Sequence, residues 1–263
     1  MFKEIPETYL KKADEKGVIE KINYEYDHYS KHFNVYVPYG YSTDREYNVL
    51  YLMHGGGQDA NSWLWESQLK HVLDNMIEKK EIEPLLVVTP TFYTYPKDKL
   101  KEGEHAFIFQ KELNSKIVPM VEKLYPCVAN RKGRAFGGFS MGCVNTWFTF
   151  IYHLDSFFYF MPMSGDCWEL EQMGGLNKPK ETAACLAGAV SKFDYTNRDF
   201  FIFGLVGSED IAYNPYMAQA QEMYAHKNIF TKENFVTEVA QGGTHDMNYA
   251  LAYVYNALPH MFR

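Results

Sequence analysis

The stretch Gly138-Phe139-Ser140-Met141-Gly142 places one hydroxyl between glycines at minus two and plus two. An apolar run, GRAFGGF, leads into it and a helical pattern follows. Strand, tight turn, then helix is the setting in which G-x-S-x-G holds a serine on a sharp bend as a nucleophile. A side chain at 138 or 142 would crowd such a turn. The helix N-terminus beneath Ser140 favours developing negative charge. A glycine-rich turn with a spectator serine is spelled the same way, so the rest of a nucleophilic set has to decide.

A serine needs a base, and the base needs an orienting acid. QGGTHDMNYA puts His245 on the loop after the last strand-like run, just before the closing helix. The other histidines lie before the serine, within helices or at the chain end. The run FIFGLVGSEDIAY supplies Glu209 and Asp210 at the end of the strand between serine and histidine. Asp210 is the first choice and Glu209 the rival. Asp246 adjoins His245, but sequence neighbours point apart, and it suits a helix cap better. The order Ser140, Asp210, His245 is that of the α/β-hydrolases.

Acyl transfer also needs two donors for the oxyanion. The Met141 amide, directly after the serine, is one. The second is expected from His54-Gly55-Gly56-Gly57, which follows a buried strand-like run; Gly56 is preferred and Gly57 is the alternative. His54 reads as a residue that braces this loop.

These residues need a scaffold. Residues 47–54 and 85–92 are continuous apolar runs, as strands buried on both faces require. Residues 157–165, 200–210 and 234–246 are similar in style. Helical spacing appears at Leu69, Val72, Leu73, Met76 and Ile77, and again from Phe109 to Leu124. Further helices are expected over 141–153, 180–192, 215–226 and 247–258. KINYEY and HFNVYVPYG read as paired antiparallel strands. The alternation implies an α/β fold: a mostly parallel central sheet with helices on both faces and antiparallel N-terminal strands. Residues 1–17 form an N-terminal extension and 18–263 a single domain. Residues 91–105 read as a loop shaping the cleft, with tyrosines whose role the sequence leaves open.

Composition narrows the function. The 263 residues carry a net charge of −7 and no dense basic block, which argues against nucleic-acid binding. The four cysteines lack metal-ligand spacing, and no metal or organic cofactor is expected. No apolar run is long and unbroken enough to span a membrane, so no membrane partner is expected. The polar N-terminus lacks a signal-peptide core, which points to a cytoplasmic address, or a secreted one if a leader has been removed. The 21 Tyr and 19 Phe suit an aromatic core or an aromatic-lined cleft.

With these motifs assembled, the chain resembles the feruloyl esterases of carbohydrate esterase family 1, in the esterase D-like group of α/β-hydrolases. FNVYVPYGY, YNVLYLMHGGG, EPLLVVTPTF, GGFSMG, FMPMSGDCW, GSEDIAY and GGTH carry the likeness, over roughly residues 18 to 263. It implies an α/β-hydrolase fold, Ser140 as nucleophile, Asp210 as orienting acid, His245 as base, and hydrolysis of hydroxycinnamate esters on plant arabinoxylan. Cys143 departs from the family, whose members often carry glycine there. Read from the residues themselves, Trp168 could stack on a phenolic ring, Asp166 could accept from a hydroxyl, and Tyr213 is a further candidate contact. Rival readings are an acetyl-xylan or short-chain carboxylesterase, an S-formylglutathione hydrolase-like esterase, and a catalytically silent carbohydrate-binding protein.

Overall fold

A computed structural model describes residues 1–94 and 97–263. Eight strands form one sheet in the order β1-β2-β4-β3-β5-β6-β7-β8. The strands are β1 (Val18–Tyr26), β2 (Tyr29–Val37), β3 (Val49–Met53), β4 (Leu86–Thr89), β5 (Arg134–Phe139), β6 (Tyr159–Met163), β7 (Phe201–Gly207) and β8 (Phe235–Ala240). β1 and β2 pair antiparallel, as do β2 and β4, and every later pairing is parallel. This is the expected mixed architecture. All residues of β3, β4 and β6 are buried, which explains their unbroken apolar spelling.

Side chains alternate across β3. Val49, Tyr51 and Met53 join one core cluster, Leu50 and Leu52 the other. Helices α1 (Leu69–Glu78) and α8 (Met247–Ala257) cover the second face. Helices α2 (Glu102–Glu112), α3 (Val118–Leu124), α4 (Met141–His153), α6 (Pro179–Lys192) and α7 (Tyr213–Ala225) cover the first, with a short α5 (Gly174–Asn177) beside them. α4 is buried all round from Met141 to Ile151, so its sequence shows no polar face.

Two expectations need correction. The helix expected from Phe109 onward starts earlier, at Glu102, where Glu104 Oε2 accepts from the Lys101 N–H at 2.8 Å and closes the first turn. The second half of the anticipated 91–105 loop is therefore helical. Its first half is packed inward, with Thr91, Phe92 and Tyr93 buried; Tyr95 lies outside the described residues. The same helix widens into a π-turn over Leu113–Ile117 before α3. Pro119 has no N–H to give to the turn before it, and the wider turn accommodates that loss.

Residues 1–17 are fastened to the sheet layers at several points. The Tyr9 hydroxyl donates to Glu81 at 2.6 Å, and the Gly17 N–H donates to Asp74 at 2.8 Å. Among the described residues no helix is long and apolar enough to cross a membrane. Cys127, Cys143, Cys167 and Cys185 are free thiols.

Candidate active site

Ser140 sits between β5 and α4 with φ 57° and ψ −115°, a conformation that L-residues rarely adopt. Close backbone contacts hold it there. A Cβ on Gly138 would lie 2.5 Å from the Gly142 carbonyl oxygen, and one on Gly142 would lie 2.5 Å from that of Met53. The glycines of G-x-S-x-G therefore let α4 press against β3 and β5. The Ser140 N–H donates to the Met163 carbonyl at 2.9 Å, tying the bend to β6.

The β7 and β8 ends bring the other two side chains in. A Cβ on Gly207 would stand 2.1 Å from the Gly243 carbonyl, so strand end and histidine loop touch backbone to backbone. Gly242 has φ 72°, which turns the chain toward His245. His245 Nδ1 lies 2.8 Å from Asp210 Oδ1, and Nε2 lies 2.9 Å from Ser140 Oγ. His245 also packs against Phe139, with ring centroids 4.6 Å apart and the planes tilted by 34°.

Burial pushes the Asp210 pKa up, but hydrogen bonds from His245 and the Ala212 N–H act against it, and the net shift is downward. The Ala212 N–H bond measures 2.7 Å. Asp210 is thus a carboxylate and Nδ1–H donates to it, which leaves Nε2 to accept from the Ser140 hydroxyl. Glu209, the rival acid, is exposed, and the His245 ring bonds to Asp210 instead. Asp246 caps α8, accepting from the Asn248 and Tyr249 N–H groups.

The glycine turn after β3 is braced from below. His54 is fully buried, with Nδ1 2.8 Å from the Gly55 carbonyl and Nε2 2.9 Å from Thr91 Oγ1. Desolvation lowers its pKa to about 4, so it is neutral and donates from Nδ1 to the carbonyl. The alternative donor Gly57 is already engaged: its N–H donates to the Tyr93 hydroxyl at 2.7 Å and to Glu102 Oε1 at 3.1 Å. Tyr93 in turn donates to Glu102 at 2.5 Å. Gly57 is set aside for that reason. Gly56 and Met141 line the cleft with Ser140, and among the described residues neither amide has a protein partner.

The cleft above Ser140 has a volume of about 420 Å³. Trp168 and Asp166 line it. Trp168 Nε1 donates to Asp166 Oδ1 at 2.9 Å, and the Gly175 N–H donates to Oδ2 at 2.7 Å. Burial raises the Asp166 pKa against these two bonds. Its carboxylate thus fixes the indole rather than standing open to a ligand. Tyr213 is not among the lining residues. As the first residue of α7 it packs against the core, and Ile211, Ala212 and Pro215 face the cleft instead. Ile211, 79 % exposed, is an apolar side chain that the sequence reading passed over. Its position one residue past Asp210 was the available signal.

Comparisons with known proteins give the chain's family and fold. A family model described as putative esterase matches residues 28–246. Endo-1,4-beta-xylanase Y of Acetivibrio thermocellus is 37 % identical over 279 residues, covering 99 % of this chain and 24 % of the relative. An endo-1,4-beta-xylanase/feruloyl esterase of Xylanibacter ruminicola is 30 % identical over 168 residues, covering 60 % of this chain and 22 % of its own length. The chain thus spans about a quarter of the curated relatives it matches. A serine-to-alanine mutant of the feruloyl esterase module from Clostridium thermocellum, complexed with sinapinate, superposes with a TM-score of 0.88 at 35 % identity. That match covers 100 % of this chain and 94 % of the module. The chain has the α/β-hydrolase fold and belongs to the esterase family, among the feruloyl esterases that its motifs resemble.

Proposed function

We propose that the protein is a serine carboxylesterase that hydrolyses feruloyl and related hydroxycinnamoyl esters of plant arabinoxylan. The observation that carries this reading is the hydrogen-bonded line Ser140–His245–Asp210, at 2.9 and 2.8 Å, opening into a cleft walled by Trp168. Its kinship with feruloyl esterase modules supports the choice of acyl group.

In the first step, Ser140 Oγ attacks the ester carbonyl while its proton passes to His245 Nε2. Asp210 holds the imidazole and stabilises its charged form. The Met141 and Gly56 amides receive the oxyanion; one such donor is worth about 3–4 kcal/mol of barrier. The proton then goes to the departing sugar hydroxyl, leaving an acyl-enzyme. Water attacks that ester by the same route and frees the acid. Trp168, held by Asp166, offers a flat face to the phenolic ring, and Ile211 closes the apolar rim. Residues 18–263 serve as one catalytic domain, with 1–17 fastened along it.

The test is product analysis on feruloylated arabinoxylan, with Ser140→Ala as control. Release of ferulate by the wild type and none by the variant is expected. A strong preference for p-nitrophenyl acetate over methyl ferulate would instead favour a short-chain esterase. Failure of Ser140 to label with a fluorophosphonate would favour a silent binding protein.

A further inference from the structure

The cleft that holds Ser140 is walled on one side by Trp168 and Gln172, and the same two residues wall a second concavity of about 650 Å³ on the far side. Gly103 of α2 lies against the indole: a Cβ there would stand 3.3 Å from Trp168 Cε3. Aromatic side chains form the floor of the second concavity. Phe107 is 38 % exposed and meets Phe148 and Tyr152 edge-to-face, each at 5.6 Å between centroids. Tyr152 is itself fixed, donating to Glu169 Oε1 at 2.6 Å. Around this floor stand the polar groups of Lys101, Glu104, Glu169 and Gln172.

An exposed Phe on α2 leaves apolar surface in water that a bound ligand would cover. An exposed aromatic ring beside amide, carboxylate and ammonium groups matches the two-sided chemistry of a sugar ring: apolar C–H groups on one face, hydroxyls at the edge. With Lys101 beside Glu104 and Glu169, the lining carries both signs of charge and suits a neutral polar ligand. An ester bound at Ser140 has two halves. With the acyl half in the cleft, the alcohol half has to leave it, and the adjoining concavity shares its wall.

We propose that the concavity floored by Phe107 and Tyr152 and bounded by Trp168 is a glycan subsite that takes the neutral pentose chain carrying the ester. This rests on the esterase reading above and deepens it. The subsite sets preference for polysaccharide-linked over free esters, and Phe107 is its specificity-determining residue.

Kinetics on two substrates test the idea. Phe107→Ala should raise KM for a feruloylated arabinoxylo-oligosaccharide about three- to tenfold, the size of one aromatic contact, with kcat/KM for methyl ferulate within about twofold of wild type. Phe107→Tyr should restore the oligosaccharide KM. Calorimetric titration of Ser140→Ala with an unferuloylated arabinoxylo-oligosaccharide reads the subsite apart from catalysis. Binding that Phe107→Ala weakens supports it, even if the wild type proves inactive on ferulate. Equal losses on both substrates, no change on either, or no oligosaccharide binding by Ser140→Ala would overturn it.

Discussion

Around Ser140 backbone presses on backbone; around Trp168 side chains hold side chains. In the first region Gly138, Gly142, Gly207 and Gly243 let strands, α4 and the histidine loop touch, and no Cβ would fit between them. In the second, Trp168 is half-buried, its indole is fixed by the Asp166 carboxylate, and Ile211 projects into solvent. The first region fixes a geometry that tolerates errors of only a fraction of an ångström, as acyl transfer demands. The second can be re-cut by exchanging side chains without disturbing the sheet. One fold can thus keep its chemistry and vary its acyl group.

The largest expected effect comes from removing the nucleophile. Ser140→Ala should lower kcat on methyl ferulate by at least about 10⁴-fold. Circular dichroism should show an unchanged fold, because the strain at φ 57° is held by surrounding packing. Gly142→Ala attacks the same region through the backbone. A Cβ 2.5 Å from the Met53 oxygen should destabilise by about 1–3 kcal/mol in urea unfolding, with activity lost as well. A fully active, equally stable Gly142→Ala would break the contrast between the two regions.

Changes in the second region should be gentler. Asp166→Ala frees Trp168 and should raise KM for methyl ferulate about tenfold, leaving kcat within a few-fold. Tyr93→Phe removes a hydroxyl that accepts from Gly57 and donates to Glu102, loosening the turn that carries Gly56. It should lower kcat by about three- to tenfold, read from steady-state rates.

The smallest effect is on stability against pH. The folded-state pKa of Asp210 lies below its ordinary value of 3.8, so its stabilising contribution is complete above the unfolded value and disappears as pH falls through the folded one. Unfolding free energies of wild type and Asp210→Asn should therefore differ by a constant amount above about pH 5 and converge below about pH 4. A gap that widened in acid would contradict the shift.

Much of the fold is legible in the chain because burial on both faces leaves a plain spelling. β3, β4 and β6 read as unbroken apolar runs, and the helices that cover them keep their spacing. The Ser140 bend is legible for a related reason: tight backbone contact admits only glycine at 138 and 142. The start of α2 was missed because a cap made by Lys101 and Glu104 looks like any polar surface pair. Tyr213 was misjudged because distance along the chain does not say which side of a helix start faces a cleft.

The sequence alone determined which residue types stand at the strand ends and in what order, since local turn chemistry and apolar periodicity are written residue by residue. Only the tertiary structure decided that Gly57 spends its amide on Tyr93 and Glu102 while Gly56, among the described residues, has no partner for its own, that Asp166 serves Trp168, and that a second concavity lies behind that ring. The Gly57 bonds join residues 36 and 45 positions apart, and the Asp166–Trp168 bond, though only two positions long, depends on how the loop after β6 is packed; neither choice of partner shows in local spacing.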